Sequence, residues 1–167
     1  SAVAILTPVI GRMESFVEKG MPLAVVDYAH TPDALENALI ACRQHCQGSL
    51  WVVFGCGGDR DIGKRPLMGG IAERQSDFVI VTNDNPRTEN PEKIAQDILS
   101  GCKEPKNITV LLERQQAVIS ALKQAKKEDV VLLAGKGHED YIVMGDKHIP
   151  YNERELVRSI YAHGATS

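Results

Sequence analysis

Three short apolar runs, at 50–54, 78–81 and 130–133, constrain the fold more than anything else in this chain. Each is too brief for a helix, apolar throughout, and followed by glycine, proline or small polar residues. Such runs suit strands buried on both faces, as in a parallel sheet covered by helices. The stretches between them carry helix signals. Thr31-Pro32-Asp33 and Asn90-Pro91-Glu92 each place a capping side chain before a proline at the first helical position. Strands are expected at 13–17, 23–28, 50–54, 78–81, 108–112 and 130–133. Helices are expected from the Thr31 cap to about 46, and at 66–73, 91–99, 115–126 and 153–161. Gly145-Asp146 reads as the turn of a β-hairpin between 141–144 and 148–151. This alternation predicts an α/β fold: a Rossmann-like, doubly wound, mostly parallel sheet with helices on both faces and a C-terminal β-hairpin.

The 167 residues suffice for one domain with a complete core, expected at 11–167 behind a linker segment at 1–10. A net charge of -3 leaves no broad basic face, which argues against nucleic acid as a partner. No apolar run is long enough to span a bilayer and no signal peptide is visible, so a cytoplasmic protein without a membrane partner is expected. The first residue is Ser1, which reads as an excised or processed segment. Cys42, Cys46, Cys56 and Cys102 match no common zinc or disulfide spacing. Leu35, Leu39, Cys42 and Cys46 fall on one helical stripe, so the two thiols are expected to face the core and no metal site is expected.

The chemistry concentrates in the loops behind the strands, where a doubly wound sheet places its ligands. Asp84-Asn85-Pro86-Arg87 follows the run at 78–81. Pro86 pushes Asn85 toward extended backbone, and Arg87 can then present a guanidinium to a carboxylate. Behind 50–54 lies a glycine-rich loop, 55–65. Its Gly58-to-Lys64 spacing imitates a P-loop, but Arg65 stands where Ser or Thr should hold a metal ion, and Asp59 and Asp61 would repel a triphosphate. Arg60 in that loop is a second anion contact or, alternatively, a local ion pair with Asp59 or Asp61. Behind 130–133, Gly135 and Gly137 allow close backbone approach, and Glu139 can receive an ammonium group. Asp27 and His30, behind 23–26, suit a ribose diol and a phosphate or adenine, or else they only organise the turn. Arg60, Arg87 and Glu139 together match the charges of a diamino-dicarboxylic acid. A nicotinamide oxidoreductase would need G-x-G-x-x-G after the first strand, where this chain has Asp27-Tyr28-Ala29-His30.

Four strings occur here in one order: Val26 to Asp33, Gly57 to Asp61, Asp84 to Arg87, and Gly135 to Glu139. In that combination the chain resembles the C-terminal domain of the Mur ligases, and within them the diaminopimelate-adding type. The resemblance runs from Gly11 to the final helix. It implies an ATP-dependent amide-bond ligase of peptidoglycan precursor synthesis. Such an enzyme joins meso-diaminopimelate to UDP-N-acetylmuramoyl-L-alanyl-D-glutamate through an acyl phosphate. It further implies that Arg60, Asp84, Asn85, Pro86, Arg87, Gly135 and Glu139 bind diaminopimelate. Arg12, Asp27 and His30 would contact ATP. Relatives that add lysine lack the arginine of Asp-Asn-Pro-Arg. Within these 167 residues there is no Walker A loop, no Mg²⁺ ligand set and no UDP-sugar domain. ATP activation and the metal are therefore expected to belong to other domains, and this chain alone is expected to be inactive. A stand-alone amino-acid or nucleotide binding module of the same fold is the alternative.

Overall fold

The apolar runs lie where their composition sends them, at the middle of one sheet. The computed structural model describes residues 11–164; the expected linker at 1–10 falls outside the described residues. In chain order the strands and helices are β1 (Glu14–Phe16), β2 (Leu23–Asp27), α1 (Pro32–Gln44), β3 (Leu50–Phe54), α2 (Lys64–Gln75), β4 (Phe78–Val81) and α3 (Pro91–Leu99). After these come β5 (Thr109–Val110), α4 (Arg114–Gln124), β6 (Val130–Ala134), the hairpin β7 (Tyr141–Met144) and β8 (Lys147–Pro150), and α5 (Glu153–Gly164). The large sheet has the order β1-β2-β6-β3-β4-β5. Its strands β2 to β6 run parallel, and β1 pairs antiparallel with β2 at the edge.

Strands β3 and β6 are buried along their whole length. Their side chains alternate between two cores. Val52, Phe54, Leu132 and Ala134 pack on the face covered by α1, α2 and α3. Trp51, Val53, Val131 and Leu133 pack on the other, under α4 and α5. This is the period-2 consequence of a strand buried on both sides. Cys42 lies in the first core and Cys46 packs against it; burial pushes the Cys42 thiol up to about 12. Among the described residues no helix is long and apolar enough to cross a membrane.

Several boundaries differ from those the sequence suggests, most by one or two residues. Helix α2 begins at Lys64 rather than at Pro66. The first turn has no intrahelical partners for its N–H groups, so a proline there sacrifices no hydrogen bond. Strand β5 has two residues instead of five. Beyond it, Leu112 O is taken by Asn83 N (3.3 Å) and Thr82 Oγ1 (3.2 Å), which bends the chain into the loop after β4. Helix α5 continues to Gly164, past the expected end at 161.

Strand β6 is inserted between β2 and β3, so its connections leave the sheet on the side opposite to theirs. The segments after β2 and β3 turn back along α1 and α2. The segment after β6 passes to the hairpin and α5. A crevice opens at that point on the carboxyl edge. Replacing Leu132, at the centre of β6, by Ala should lower unfolding stability by about 2–5 kcal/mol in a urea melt, with little change in slope.

Candidate functional site

Four loops meet at the carboxyl edge of the sheet and enclose a cleft of about 620 Å³. The loop after β4 is its back wall. Asp84, Asn85 and Pro86 are buried. Arg87 has φ = +52°, an uncommon backbone state for a non-glycine residue, and two backbone bonds to the hairpin hold it there. Its N–H donates to Val143 O (3.0 Å) and its carbonyl accepts from Gly145 N (2.7 Å). Asn85 Oδ1 reinforces the dock by accepting from Val143 N (2.9 Å). Arg87 Nη1 donates to Gly58 O (2.9 Å) and Asn85 O (3.4 Å). Among the described residues the Nε–Nη2 edge of the guanidinium has no partner, which suits a carboxylate bound as a bidentate pair.

The loop after β3 closes against this wall. Gly58 N donates to Asn85 O (2.8 Å), and a Cβ at Gly58 would collide with Pro86 O, so only glycine fits. Asp59 accepts from Thr88 N (3.1 Å) and Thr88 Oγ1 (2.8 Å). Arg60 is exposed at the cleft and donates to Asp59 O (3.0 Å). Among the described residues it forms no ion pair, so the alternative of a pair with Asp59 or Asp61 is not realised. Behind the loop, the fully buried Arg65 donates to Glu89 (2.7 and 3.0 Å), Asp97 (3.0 Å) and Gly57 O (3.0 Å). Glu89 also accepts from Asp59 N (2.7 Å). Arg65 and Glu89 thus fasten the loops that carry Arg60 and Arg87 to each other.

The loop after β6 supplies the acidic side. Gly135 has φ = +114°, and a Cβ there would lie 2.5 Å from Asp84 Oδ2. The carboxylate sits against the glycine backbone for that reason. Lys136 is fully buried. Its Nζ donates to Asn85 Oδ1 (2.6 Å) and Tyr141 O (3.0 Å), and forms ion pairs with Asp84 (3.2 Å) and Glu139 (3.3 Å). The phenol of Tyr28 is pushed up, first by burial and then by the Glu139 and Asp84 charges.

Beneath the cleft, Arg114 and Glu153 form an ion pair with no exposed side-chain surface. Arg114 Nε and Nη2 donate to the two Glu153 oxygens (2.7 and 3.0 Å). Nη1 also donates to Asn83 O, and Nη2 to Ala134 O, both at 3.0 Å. These are the carbonyls just before Asp84 and Gly135. Burial works against the Arg114 charge, the Glu153 carboxylate favours it, and the balance keeps the guanidinium protonated.

Of the residues singled out from sequence, Arg60, Asp84, Asn85, Arg87, Gly135, Glu139 and His30 line the cleft. Pro86, Arg12 and Asp27 do not. Pro86 is buried in the wall, where its carbonyl faces Gly58. Arg12 is exposed on the turn before β1, whose Gly11 abuts Gly137 and His138. Asp27 accepts from Met13 N (2.8 Å) and Ala29 N (2.9 Å), which organises the turn after β2. His30 Nδ1 donates to Tyr28 O (2.8 Å). Tyr28 and Lys64 also line the cleft, and sequence reasoning did not single them out; Lys64 Nζ donates to His30 O (2.9 Å). Lys136, Arg65 and Arg114 were likewise missed. Among the described residues, no three His, Cys, Asp or Glu side chains converge as a metal's ligands would.

Residues 11–137 match the Mur ligase, glutamate ligase domain family. A solved UDP-N-acetylmuramoyl-L-alanyl-D-glutamate–2,6-diaminopimelate ligase superposes with a TM-score of 0.87 and 41% identity, over 95% of this chain and 33% of its own. A bifunctional folylpolyglutamate synthase/dihydrofolate synthase from Yersinia pestis, solved with AMPPNP and Mn ion, shares the fold at 22% identity. Its TM-score is 0.59, over 76% of this chain and 28% of its own. The folylpolyglutamate synthase of Mycobacterium tuberculosis does so at 19% identity and TM-score 0.58, over 79% and 30% of the two chains. The chain belongs to the Mur ligase family and carries its C-terminal, glutamate ligase domain. It spans about a third of the length of the diaminopimelate ligase it matches.

The Arg65–Glu89 pair has a pH signature. Hydrogen bonds from Arg65, and then from Asp59 N, hold the Glu89 carboxyl down at about 2, against an ordinary 4.5. A depressed carboxyl stabilises the fold above its unfolded value and loses that contribution as pH falls through the folded one. Stability should therefore fall as the pH drops from 4.5 toward 2, and Glu89→Gln should flatten that part of the profile in thermal melts. An unchanged acid limb in Glu89→Gln would contradict the role assigned to the pair.

Proposed function

We propose that this domain captures meso-diaminopimelate for an ATP-dependent ligase acting in the cytoplasm. That ligase adds the amino acid to the D-glutamate carboxylate of UDP-N-acetylmuramoyl-L-alanyl-D-glutamate during peptidoglycan precursor synthesis. The observation that carries the reading is the convergence of Arg60, Arg87, Asp84 and Glu139 on one cleft. The open edge of Arg87 takes one carboxylate in bidentate fashion. Arg60, more exposed, takes the other. Asp84, Glu139 and the Gly135 backbone receive an amino end. Lysine offers no second carboxylate, so one of the two guanidinium groups would be left without a partner. The 41% identity to a diaminopimelate ligase supports this choice over other amino acids.

ATP approaches from the β2 side. Arg12 reaches toward phosphate, Asp27 offers remaining lone pairs to the ribose, and His30 presents Nε2 to phosphate or base. Mg²⁺ and the residues that activate ATP belong to the other domains of the enzyme, as does most of the UDP-sugar site. The acyl phosphate formed on D-glutamate is attacked by the amine that this domain presents. The chain by itself therefore binds and orients but does not ligate.

Arg87→Ala should raise KM for diaminopimelate in the full-length enzyme by at least about 30-fold, because a charge-assisted pair in a desolvated site is lost. KM for ATP should change far less. Equal losses for both substrates in steady-state kinetics would count against the assignment.

A further inference from the structure

Lys136 touches no solvent, does not line the cleft, and yet contacts three groups that do. Its ammonium gathers Asp84 and Asn85 from the loop after β4, Glu139 from its own loop, and the Tyr141 carbonyl of the hairpin. We propose that Lys136 is a positioning residue for the amino-acid substrate. It fixes Asp84, Asn85 and Glu139, and it sets the charge of the acidic wall to suit a single ammonium group. The inference rests on the reading of the cleft as a diaminopimelate site.

The argument is one of charge and of geometry. Asp84 and Glu139 both lie within ion-pair distance of one nitrogen, so they are close neighbours. Two such carboxylates without a cation between them repel. Lys136 offsets one of the two charges, so by formal count the trio presents one net negative charge to a ligand ammonium. Lys136 pairs with Oδ1 of Asp84 and Oε1 of Glu139. The shortest of its bonds, 2.6 Å, goes to Asn85 Oδ1. The same oxygen accepts from Val143 N and helps dock the hairpin that holds Arg87 in its left-handed backbone. One buried ammonium thereby coordinates the amino-binding side with the carboxylate-binding side. A buried charge with this many oxygen partners is stable in place, whereas its removal strands two acids.

The test is a double-mutant cycle in the full-length ligase. Lys136→Met keeps the length of the side chain and removes its charge. It should raise KM for meso-diaminopimelate by at least about 30-fold and leave KM for ATP nearly unchanged. Glu139→Gln alone should also weaken diaminopimelate use. Combining the two restores one net negative charge to the wall, so the double variant should have a lower KM for diaminopimelate than Lys136→Met alone. A double variant worse than Lys136→Met by the full cost of Glu139→Gln would overturn the proposal, because independent losses add. Equal damage to ATP and diaminopimelate KM in Lys136→Met would overturn it as well. Should Lys136→Met fail to fold, Lys136→Gln, which keeps a donor without the charge, enters the same cycle. The wild-type enzyme supplies a readout free of any folding question. The ¹⁵N signal of the Lys136 ammonium should shift on saturation with meso-diaminopimelate and stay in place with an ATP analogue, and no shift with diaminopimelate would overturn the proposal. A wild-type enzyme that does not use meso-diaminopimelate at all would instead refute the proposed function.

Discussion

Arg114 and Glu153 are paired in complete burial, and two further hydrogens of the guanidinium go to the carbonyls of Asn83 and Ala134. The site depends on this interaction. Strands β4 and β6 are not neighbours, because β3 lies between them. Their last residues share no direct backbone ladder and are tied only through β3. A planar cation with donors on several sides adds a direct link. It sets the spacing between Asp84 and Gly135, the two residues that begin the functional loops. Tyr151 adds a hydroxyl to Glu153 (2.6 Å) and brings the segment after the hairpin into the same cluster. A buried pair of this kind adds little net stability over an apolar substitute, so its value here is geometric.

The other buried cations repeat the arrangement at the next level. Arg65 holds the loop after β3 to the loop after β4 through Glu89 and Gly57. Lys136 holds the loop after β4 to its own loop and to the hairpin. Each of the three sits behind the cleft and donates to groups of the loops that form it. The groups that face the cleft, Arg60 and the open edge of Arg87, keep donors in reserve. Loops held this way present charge in fixed directions, which lowers the entropy that ordering them on ligand binding would cost.

The sheet, its order of elements and the convergence of the loops were legible in the sequence because they follow from short apolar runs and capping residues. Arg60, Asp84, Asn85, Arg87, Gly135, Glu139 and His30 were legible as cleft residues because loops after parallel strands share one edge; Tyr28 and Lys64 were not. What stayed hidden was the set of buried charges. Lys136, in Gly135-Lys136-Gly137-His138-Glu139, looks like part of a solvated cluster; its burial depends on Asn85 and Tyr141, which the chain alone does not bring near. Arg114 and Arg65 carried a usable signal. Ala117, Val118 and Ala121 follow Arg114 at three, four and seven residues, which puts it on the buried face of α4. Met68, Gly69 and Ala72 do the same for Arg65 on α2. The left-handed backbone of Arg87 had no local signal. It is imposed by the hairpin, through partners at Val143 and Gly145.

A crystal structure of the full-length enzyme with meso-diaminopimelate tests the central claim most directly. The account requires one carboxylate on the Nε–Nη2 edge of Arg87, the other within reach of Arg60, and an ammonium group between Asp84 and Glu139. Diaminopimelate bound away from this edge of the sheet, or bound here with Arg87 facing no carboxylate, would contradict it.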